Sequence, residues 1–358
     1  MEKLRVEKNV ETNKEKIVYV NILKIIASIA VVMLHVSAMK WYTIKPTSKE
    51  WNIMNIYDSI CRWGVPIFVM VTGTLLLSDK KEITIKKVFT KYIKRIFIIL
   101  VIWSLFYAIL DKELLTPDIS TKDFILSFIN GHYHLWYLYM LIGLYLATPV
   151  IKLITIPKNK KIIKYFLINW FIFECCLNML KKLPIFSNLD IAYANMHIEF
   201  FLGYVGYYIL GYYLSQYELK KNEIYISYII GGLSIIVIIF GTRYLKIANY
   251  KAPETFYDAL SAPTCLSAIA VFILIKQIFA KKELSEKNKA VIDKWTKISL
   301  GVYLIHPMYI VIMDKLNISL LQWPVIISIP IATVIIYFLS ATLAYIISKI
   351  PKIGKSII

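Results

Sequence analysis

The chain has 358 residues, of which 58% are hydrophobic and 18% are charged, and its mean hydropathy is +0.61. Soluble domains are about half apolar and about one quarter charged, so this composition excludes an ordinary soluble enzyme and indicates a membrane protein. A net charge of +19 would suggest a nucleic-acid partner for a soluble protein, but here nearly all the positive charges lie in loops between apolar runs.

Ten apolar stretches are long enough to cross a bilayer, because a hydrocarbon core of about 30 Å needs about 20 apolar residues. In chain order the predicted spans are 17–39, 57–77, 92–110, 134–154, 161–180, 197–216, 224–242, 257–279, 296–314 and 324–348. The segment "TKDFILSFIN" (121–130) is too short to cross and predicts an interfacial or re-entrant helix. The sequence therefore predicts an all-α polytopic membrane protein, a bundle of about ten transmembrane helices.

The distribution of lysine and arginine predicts that both termini are cytoplasmic. In that orientation the inner segments hold 29 of these residues and the outer loops hold 11, with Lys24 and Arg62 left inside the membrane. We expect a cytoplasmic leader (1–16), a single transmembrane domain (17–350) and a cytoplasmic tail (351–358). The positive charge then reflects topology and attraction to anionic lipids of the plasma membrane, and no nucleic-acid partner is expected.

The first apolar run, "NILKIIASIAVVMLHVS", contains two titratable side chains, Lys24 and His35. Eleven helical residues make about three turns, so both side chains share one helix face with Ser28. Such groups are costly against lipid, which predicts a polar stripe facing the interior of the bundle. The alternative is a lysine that snorkels to one surface and a histidine at the headgroups of the other.

The second run begins "YDSICRWGVPIFVMVTGTLLL" and places Arg62 in the predicted outer half of the membrane. Asp58 precedes it by four residues, a spacing at which helical side chains pair. The pair has two interpretations, a structural ion pair or a functional arginine, and the sequence leaves both open.

Titratable groups collect at the predicted outer ends of the helices. Four of the five histidines lie there, as does Glu199, while His306 lies in the middle of its helix. Imidazoles, a carboxylate and an arginine are the components of a general acid/base site. The four cysteines all lie in apolar runs, and no Cys/His spacing predicts a metal site.

Five stretches, in order, resemble the acyltransferase type 3 family of integral membrane acyltransferases. They are "NILKIIASIAVVMLHVS", "CRWGVPIFVMVTGTLLL", "HLWYLYMLIGLYLATPV", "FFLGYVGYYILGYYLS" and "SLGVYLIHP", within residues 17–345. The family has a basic residue, usually arginine, then ten residues and a histidine. Lys24 keeps the charge at the first position and loses the planar guanidinium fork.

The resemblance implies a membrane O-acyltransferase that moves an acyl group, typically acetyl, from cytoplasmic acyl-CoA to a hydroxyl on the other side. The acceptor would be an envelope glycan or a lipid-linked sugar, and the enzyme would need no metal. Catalysis is assigned to His35, Arg62 and Glu199. Donor binding is assigned to Lys24, Ser28, Lys86, Lys87, Lys94 and Arg95, and acceptor binding to His134, Trp136, Tyr303 and His306.

Several alternatives stay open at this point. His35 acts either as general base on the acceptor hydroxyl or as a nucleophile that carries the acyl group. The basic segment "KKEITIKKVFTKYIKR" (80–95) either binds phosphate or only marks the cytoplasmic side. A polytopic transporter, or a glycan-export assembly subunit without transferase activity, would also place polar groups in a helical bundle. A homodimer is left open.

Overall fold

The computed structural model describes residues 2–114, 119–186, 193–280, 282–351 and 354–358. These ranges are mostly helical and contain no β-strand. Within these ranges, nine segments are long and apolar enough to cross a membrane, and they match nine of the ten predicted spans. They are Val18–Ala38, Lys49–Leu76, Ile85–Glu113, Thr121–Ile154, Pro157–Leu180, Lys221–Ile247, Thr255–Phe279, Glu286–Lys315 and Val325–Ser348. The predicted all-α polytopic architecture is confirmed. The side on which the termini lie remains a prediction.

The helices are named here in chain order, with three-residue helices included. They are α1 (Glu2–Ala38), α2 (Lys49–Cys61), α3 (Gly64–Leu76), α4 (Ile85–Lys87), α5 (Lys94–Leu114), α6 (Thr121–Asn130), α7 (Trp136–Ile154), α8 (Lys160–Trp170), α9 (Asn178–Leu180), α10 (Val205–Gln216), α11 (Lys221–Ile247), α12 (Ala262–Phe279), α13 (Glu286–Lys315), α14 (Val325–Ser348) and α15 (Gly354–Ile357). π-Helical turns join α4 to α5 (Val88–Ile93) and α8 to α9 (Phe171–Leu177).

The second span is broken into α2 and α3 at Arg62 and Trp63. Pro66 has no N–H and cannot donate to the carbonyl of Arg62, so the helical ladder is interrupted at this point. The break places the Arg62 side chain at a junction between two helices, where it reaches groups outside its own helix.

The sixth predicted span, 197–216, is not a continuous transmembrane helix. The structure there has a short 3₁₀ turn, Glu199–Phe201, and then the 12-residue helix α10, which is only about 18 Å long. Gly203 adopts a φ of +77°, a conformation that favours glycine and separates the two elements. The apolar composition of the segment therefore predicted a longer helix than the backbone forms.

Contacts at the two ends of α10 join it to two different parts of the bundle. Near its start, the Tyr207 hydroxyl donates a 2.5 Å hydrogen bond to the carbonyl of Ala259, just before α12. At its end, the Gln216 amide donates to Asp79, just after α3. The predicted topology puts the start of α12 and the end of α3 on opposite sides of the membrane, so these contacts are compatible with a tenth passage through α10, which stays a prediction beside the nine spans found in the described residues.

The structure also describes the predicted short helix 121–130 and part of the predicted tail 351–358. The stretch 121–130 forms a separate short helix, α6, as predicted; its position relative to the bilayer stays a prediction. Within the predicted cytoplasmic tail, the carbonyl of Ile357 accepts a hydrogen bond from the Trp103 indole, so this part of the tail packs against α5.

Candidate active site

Four histidines from three distant parts of the chain meet inside the bundle. Nδ1 of His35 lies 2.6 Å from Nε2 of His306, and their rings are nearly parallel, with centroids 4.9 Å apart. Nδ1 of His132 lies 2.8 Å from Nδ1 of His134, whose ring centroid is 5.9 Å from that of His306. We call these four residues the histidine cluster. Among the described residues, no group of three or more His, Cys, Asp or Glu side chains is arranged to hold a metal ion.

The parallel packing of α1 and α13 brings His35 to His306. Asn21 donates a 2.8 Å hydrogen bond to Asp293 at one end of this helix pair. Lys40 donates a 3.0 Å bond to Asp314 at the other end. The register set by these two contacts places residue 35 of α1 opposite residue 306 of α13.

A short turn after α6 supplies the other two histidines. Gly131 ends α6 with a φ of +70°, which favours glycine, and the chain then enters the 3₁₀ turn Tyr133–Leu135. The Tyr303 hydroxyl donates to the carbonyl of His134. The ring of Tyr107 stacks on His132 with centroids 4.3 Å apart. Aromatic side chains from α5 and α13 therefore hold the turn in place.

A cleft of about 470 Å³ lies beside the histidine cluster and is rich in positive charge. Its cations come from five different elements and are Lys24, Lys81, Lys91, Arg95 and Lys297. Among the described residues, no Asp or Glu lines this cleft. Arg95 also donates a 2.9 Å hydrogen bond to the Ile358 oxygen. An anion is the ligand that such a set of charges favours, because no carboxylate side chain among the described lining residues offsets them.

The inner part of the cleft is apolar and aromatic, and its wall includes Phe68, Tyr137, Leu141 and Tyr303. Tyr303 belongs to both sites, since its ring lines the cleft and its hydroxyl donates to His134. The cleft therefore runs from a cationic part to the edge of the histidine cluster. We call it the cationic cleft.

The loop that carries Lys81 is fastened from outside the cleft. Nζ of Lys152 donates to the carbonyls of Ser78 and Lys81, at 2.9 Å and 2.6 Å. Burial, followed by the positive charges of Lys91 and Lys152, lowers the pKa of Lys81. A bound anion would relieve this repulsion among like charges.

A family model for an acyltransferase domain, that of the type 3 acyltransferases, matches residues 17–349. The chain belongs to the acyltransferase type 3 family. It is therefore a multi-pass membrane acyltransferase, and the resemblance found in the sequence motifs is confirmed over nearly the whole chain. No curated protein and no solved structure matches the chain.

The structure of this type 3 acyltransferase brings together six of the residues singled out in the sequence. His35, His134 and His306 belong to the histidine cluster, and Tyr303 lies between it and the cationic cleft. Lys24 and Arg95 line the cationic cleft. The predicted stripe along the first helix is thus interior at both ends.

Other residues assigned to donor binding lie away from the cleft. Lys86 and Lys94 are exposed, and Lys87 lies 3.5 Å from Glu82 on the surface. The Ser28 hydroxyl donates to the carbonyl of Ile25 and lies 3.1 Å from the Tyr337 hydroxyl on α14. None of the four lines the cationic cleft, so their roles in donor binding stay predictions.

Two further candidates lie on the surface. Glu199 is 75% exposed, and His197 lies 3.7 Å from its carboxylate. Trp136 is 41% exposed, and its ring packs against Tyr204. No described contact joins either residue to the histidine cluster.

Arg62 is held in a network of its own. Nε donates a 2.5 Å bond to Asp58, Nη1 donates to the carbonyl of Tyr257, and the guanidinium lies 3.7 Å above the Tyr257 ring. These contacts favour the structural interpretation of the Asp58–Arg62 pair, because Asp58 and Tyr257 engage the guanidinium and it is not free to bind substrate.

Glu174, an intramembrane acid with no partner evident in the sequence, has two hydrogen bonds in the structure. Its carboxylate accepts from the Asn178 side chain at 2.7 Å and from the backbone N–H of Gly203 at 2.6 Å. The π-helical turn that contains Glu174 thus fastens the chain just before α10, which is a structural role.

The sequence did not single out three of the five cleft cations, namely Lys81, Lys91 and Lys297. Lys81 and Lys91 lie within the basic segment 80–95, but helical periodicity did not separate the residues facing the cleft from those facing solvent. Lys297 gave no signal, because a lysine near the start of a span normally marks the cytoplasmic side.

Proposed function

We propose that this enzyme takes an acetyl group from cytoplasmic acetyl-CoA and transfers it to a hydroxyl of an envelope glycan or lipid-linked sugar across the plasma membrane. The observation that carries the proposal is the cationic cleft, which leads from five positive charges, with no Asp or Glu among its described lining residues, to the histidine cluster. Acyl-CoA has the matching chemistry, with phosphates at one end and a thioester at the end of a long flexible arm.

The charge distribution supports binding of the nucleotide end at the cationic part. Lys24, Lys81 and Arg95 line this part of the cleft, and they would form charge-assisted hydrogen bonds to phosphate oxygens. The arm would then pass Tyr137 and Tyr303, where the wall is aromatic. Lys24 and His35 are separated by about 16 Å along α1, so the reacting end of the donor would lie well inside the bundle.

In this proposal His35 acts as the general base. Its ring is supported by His306 and by the edge of Tyr133, with ring centroids 5.4 Å apart for the latter pair. The acceptor hydroxyl would give its proton to His35 as its oxygen attacks the thioester carbon. In this scheme Tyr303 shapes the site, since its hydroxyl already donates to His134.

The test measures transfer of labelled acetyl from acetyl-CoA to material in host membranes. We expect His35→Ala to lower the rate by about 10²- to 10⁴-fold, the range typical of a general base. His197→Asn is the matched control, because His197 is an exposed histidine outside the cluster with a φ of +46° that asparagine tolerates.

Near-normal transfer by folded His35→Ala protein would overturn the catalytic assignment. Substrate flux across the membrane without acetyl-CoA would point to a carrier. Mass spectrometry of envelope glycans from a deletion strain and its parent would identify the acceptor, as the glycan that loses its acetyl groups.

A further inference from the structure

The hydrogen bonds of His306 determine which of its nitrogens carries the proton. Nδ1 lies 3.1 Å from the carbonyl oxygen of Val302. A carbonyl oxygen only accepts hydrogen bonds, so Nδ1 of His306 must be the protonated nitrogen. In a neutral imidazole, Nε2 is then an acceptor.

This assignment propagates to His35. Nε2 of His306 lies 2.6 Å from Nδ1 of His35, and two nitrogens at this distance cannot both carry a proton. Since Nε2 of His306 accepts, Nδ1 of His35 donates. The single proton of the neutral His35 ring therefore lies on Nδ1, and Nε2 keeps its lone pair.

The remaining nitrogen of His35 is the one available to substrate. Nε2 of His35 makes no hydrogen bond to any described residue, and the side chain is only partly buried. The coplanar hydrogen bond with His306 and the edge contact with Tyr133 fix the plane of the ring. Orientation and proton position are thus set together, as in sites where a third group orients the base.

We propose that His306 is a positioning residue that holds His35 in the Nδ1–H tautomer and thereby makes Nε2 the general-base nitrogen. This inference rests on the proposed function. The acceptor hydroxyl gives its proton to Nε2 of His35 while its oxygen bonds to the thioester carbonyl carbon. The carbon–sulfur bond then breaks, and the leaving thiolate takes the proton from Nε2. An ester and free coenzyme A form, and His35 returns to its starting state.

A chemical rescue separates this role from simple packing. We expect His306→Ala to lower acetyl transfer by about 10²- to 10⁴-fold, comparable to the loss of other base-orienting groups. Nδ1-methylhistidine at position 35 has only Nε2 free to accept a proton. In the His306→Ala background, where the alanine leaves room for the methyl group, we expect it to restore activity by about tenfold or more.

Two matched variants complete the rescue experiment. Nδ1-methylhistidine at position 35 with His306 intact should be inactive, because the methyl group would collide with the ring 2.6 Å away. His306→Gln should retain more activity than His306→Ala, since its amide oxygen can accept from Nδ1–H of His35. Failure of the methylhistidine to restore any activity in His306→Ala would overturn the inference.

Nitrogen-15 NMR of histidine-labelled protein in nanodiscs tests the tautomer without any turnover. The signal of His35, assigned by its loss in His35→Ala, should show a protonated Nδ1 and an unprotonated Nε2 in the wild type. In His306→Ala we expect a mixture of both tautomers. A wild-type His35 protonated at Nε2 would overturn the inference and leave the proposed function standing. Absence of acetyl transfer by the wild type would overturn the proposed function, and with it the role of Nε2 as base.

Discussion

Lys24 places a positive charge in the wall of the cationic cleft, eleven residues before the proposed base. The family usually has arginine at this position, and the charge is what the two side chains share. We expect Lys24→Arg to retain acetyl transfer. Lys24→Leu should raise KM for acetyl-CoA by roughly 10- to 100-fold, since hydrogen bonds to charged groups contribute about 1.5–3 kcal/mol.

Lys94→Leu is the comparison for this measurement. Lys94 belongs to the same basic segment as Arg95 but does not line the cleft. Its KM should stay close to that of the wild type. An equal increase of KM in Lys24→Leu and Lys94→Leu would mean that the net positive charge of the cytoplasmic side, rather than the cleft, attracts acetyl-CoA.

Asp58 is buried, with 1% of its surface exposed, and Arg62 supplies its charge partner. Removing one partner of a buried ion pair leaves an uncompensated charge, which typically costs about 3–5 kcal/mol. We therefore expect Arg62→Met to lower the free energy of unfolding by about this amount, and Asp58→Asn to destabilise the protein as well. Thermal unfolding of both variants in detergent checks this. A stable Arg62→Met protein that only loses acetyl transfer would instead give Arg62 a catalytic role.

The sequence predicted individual residues where a local spacing carried the information. Lys24 and His35 share a helix face, and both lie inside the bundle as that spacing implied. The pairing of His35 with His306 depends on how α1 packs against α13, and no periodicity within either segment records it. The same limit explains Lys297, whose cleft position depends on its neighbours from other helices.

The helices α3 and α10 pack with almost no space between their backbones. A Cβ atom on Gly211 would lie 1.8 Å from the carbonyl oxygen of Met70, and one on Gly73 would lie 1.8 Å from that of Tyr208. We expect Gly211→Ala to yield little folded protein, because the clash is with backbone. The yield of monodisperse protein in detergent is the measurement.

Gly232→Ala is the matched control for Gly211→Ala. Gly232 lies within α11, and nothing lies within 4 Å of a Cβ atom added there. Because alanine is the better helix former by about 1 kcal/mol, Gly232→Ala should be neutral or slightly stabilising. Normal yields of Gly211→Ala protein would show that α3 and α10 can move apart.

Helix α10 also shows that hydropathy alone does not predict the length of a helix. The stretch 197–216 is apolar enough to suggest a full span, and a hydropathy window does not register backbone conformation. Gly203 at positive φ and the preceding 3₁₀ turn shorten the helix to Val205–Gln216. The long, strongly apolar helices were predicted well, because each has enough consecutive residues to satisfy its backbone within lipid.

The orientation of the whole molecule has a direct test by cysteine labelling. In a background where the four native cysteines are replaced, cysteines at Lys158 and Ser285 should resist a membrane-impermeant thiol reagent in intact cells. A cysteine at Pro46 should react. The reason is the excess of Lys and Arg in the segments predicted to be cytoplasmic. The reverse labelling pattern would invert the membrane topology and the proposed direction of acetyl transfer.

The cationic cleft has a consequence for how the enzyme responds to metabolism. Its five cations would contact the nucleotide phosphates, which are identical in acetyl-CoA and in the coenzyme A released after transfer. Binding energy of this kind does not distinguish substrate from product. Free coenzyme A should therefore compete with acetyl-CoA for the cleft and bind with nearly the same affinity. The rate of envelope modification would then follow the cytosolic ratio of acetyl-CoA to free coenzyme A, a measure of carbon supply, more closely than the concentration of either.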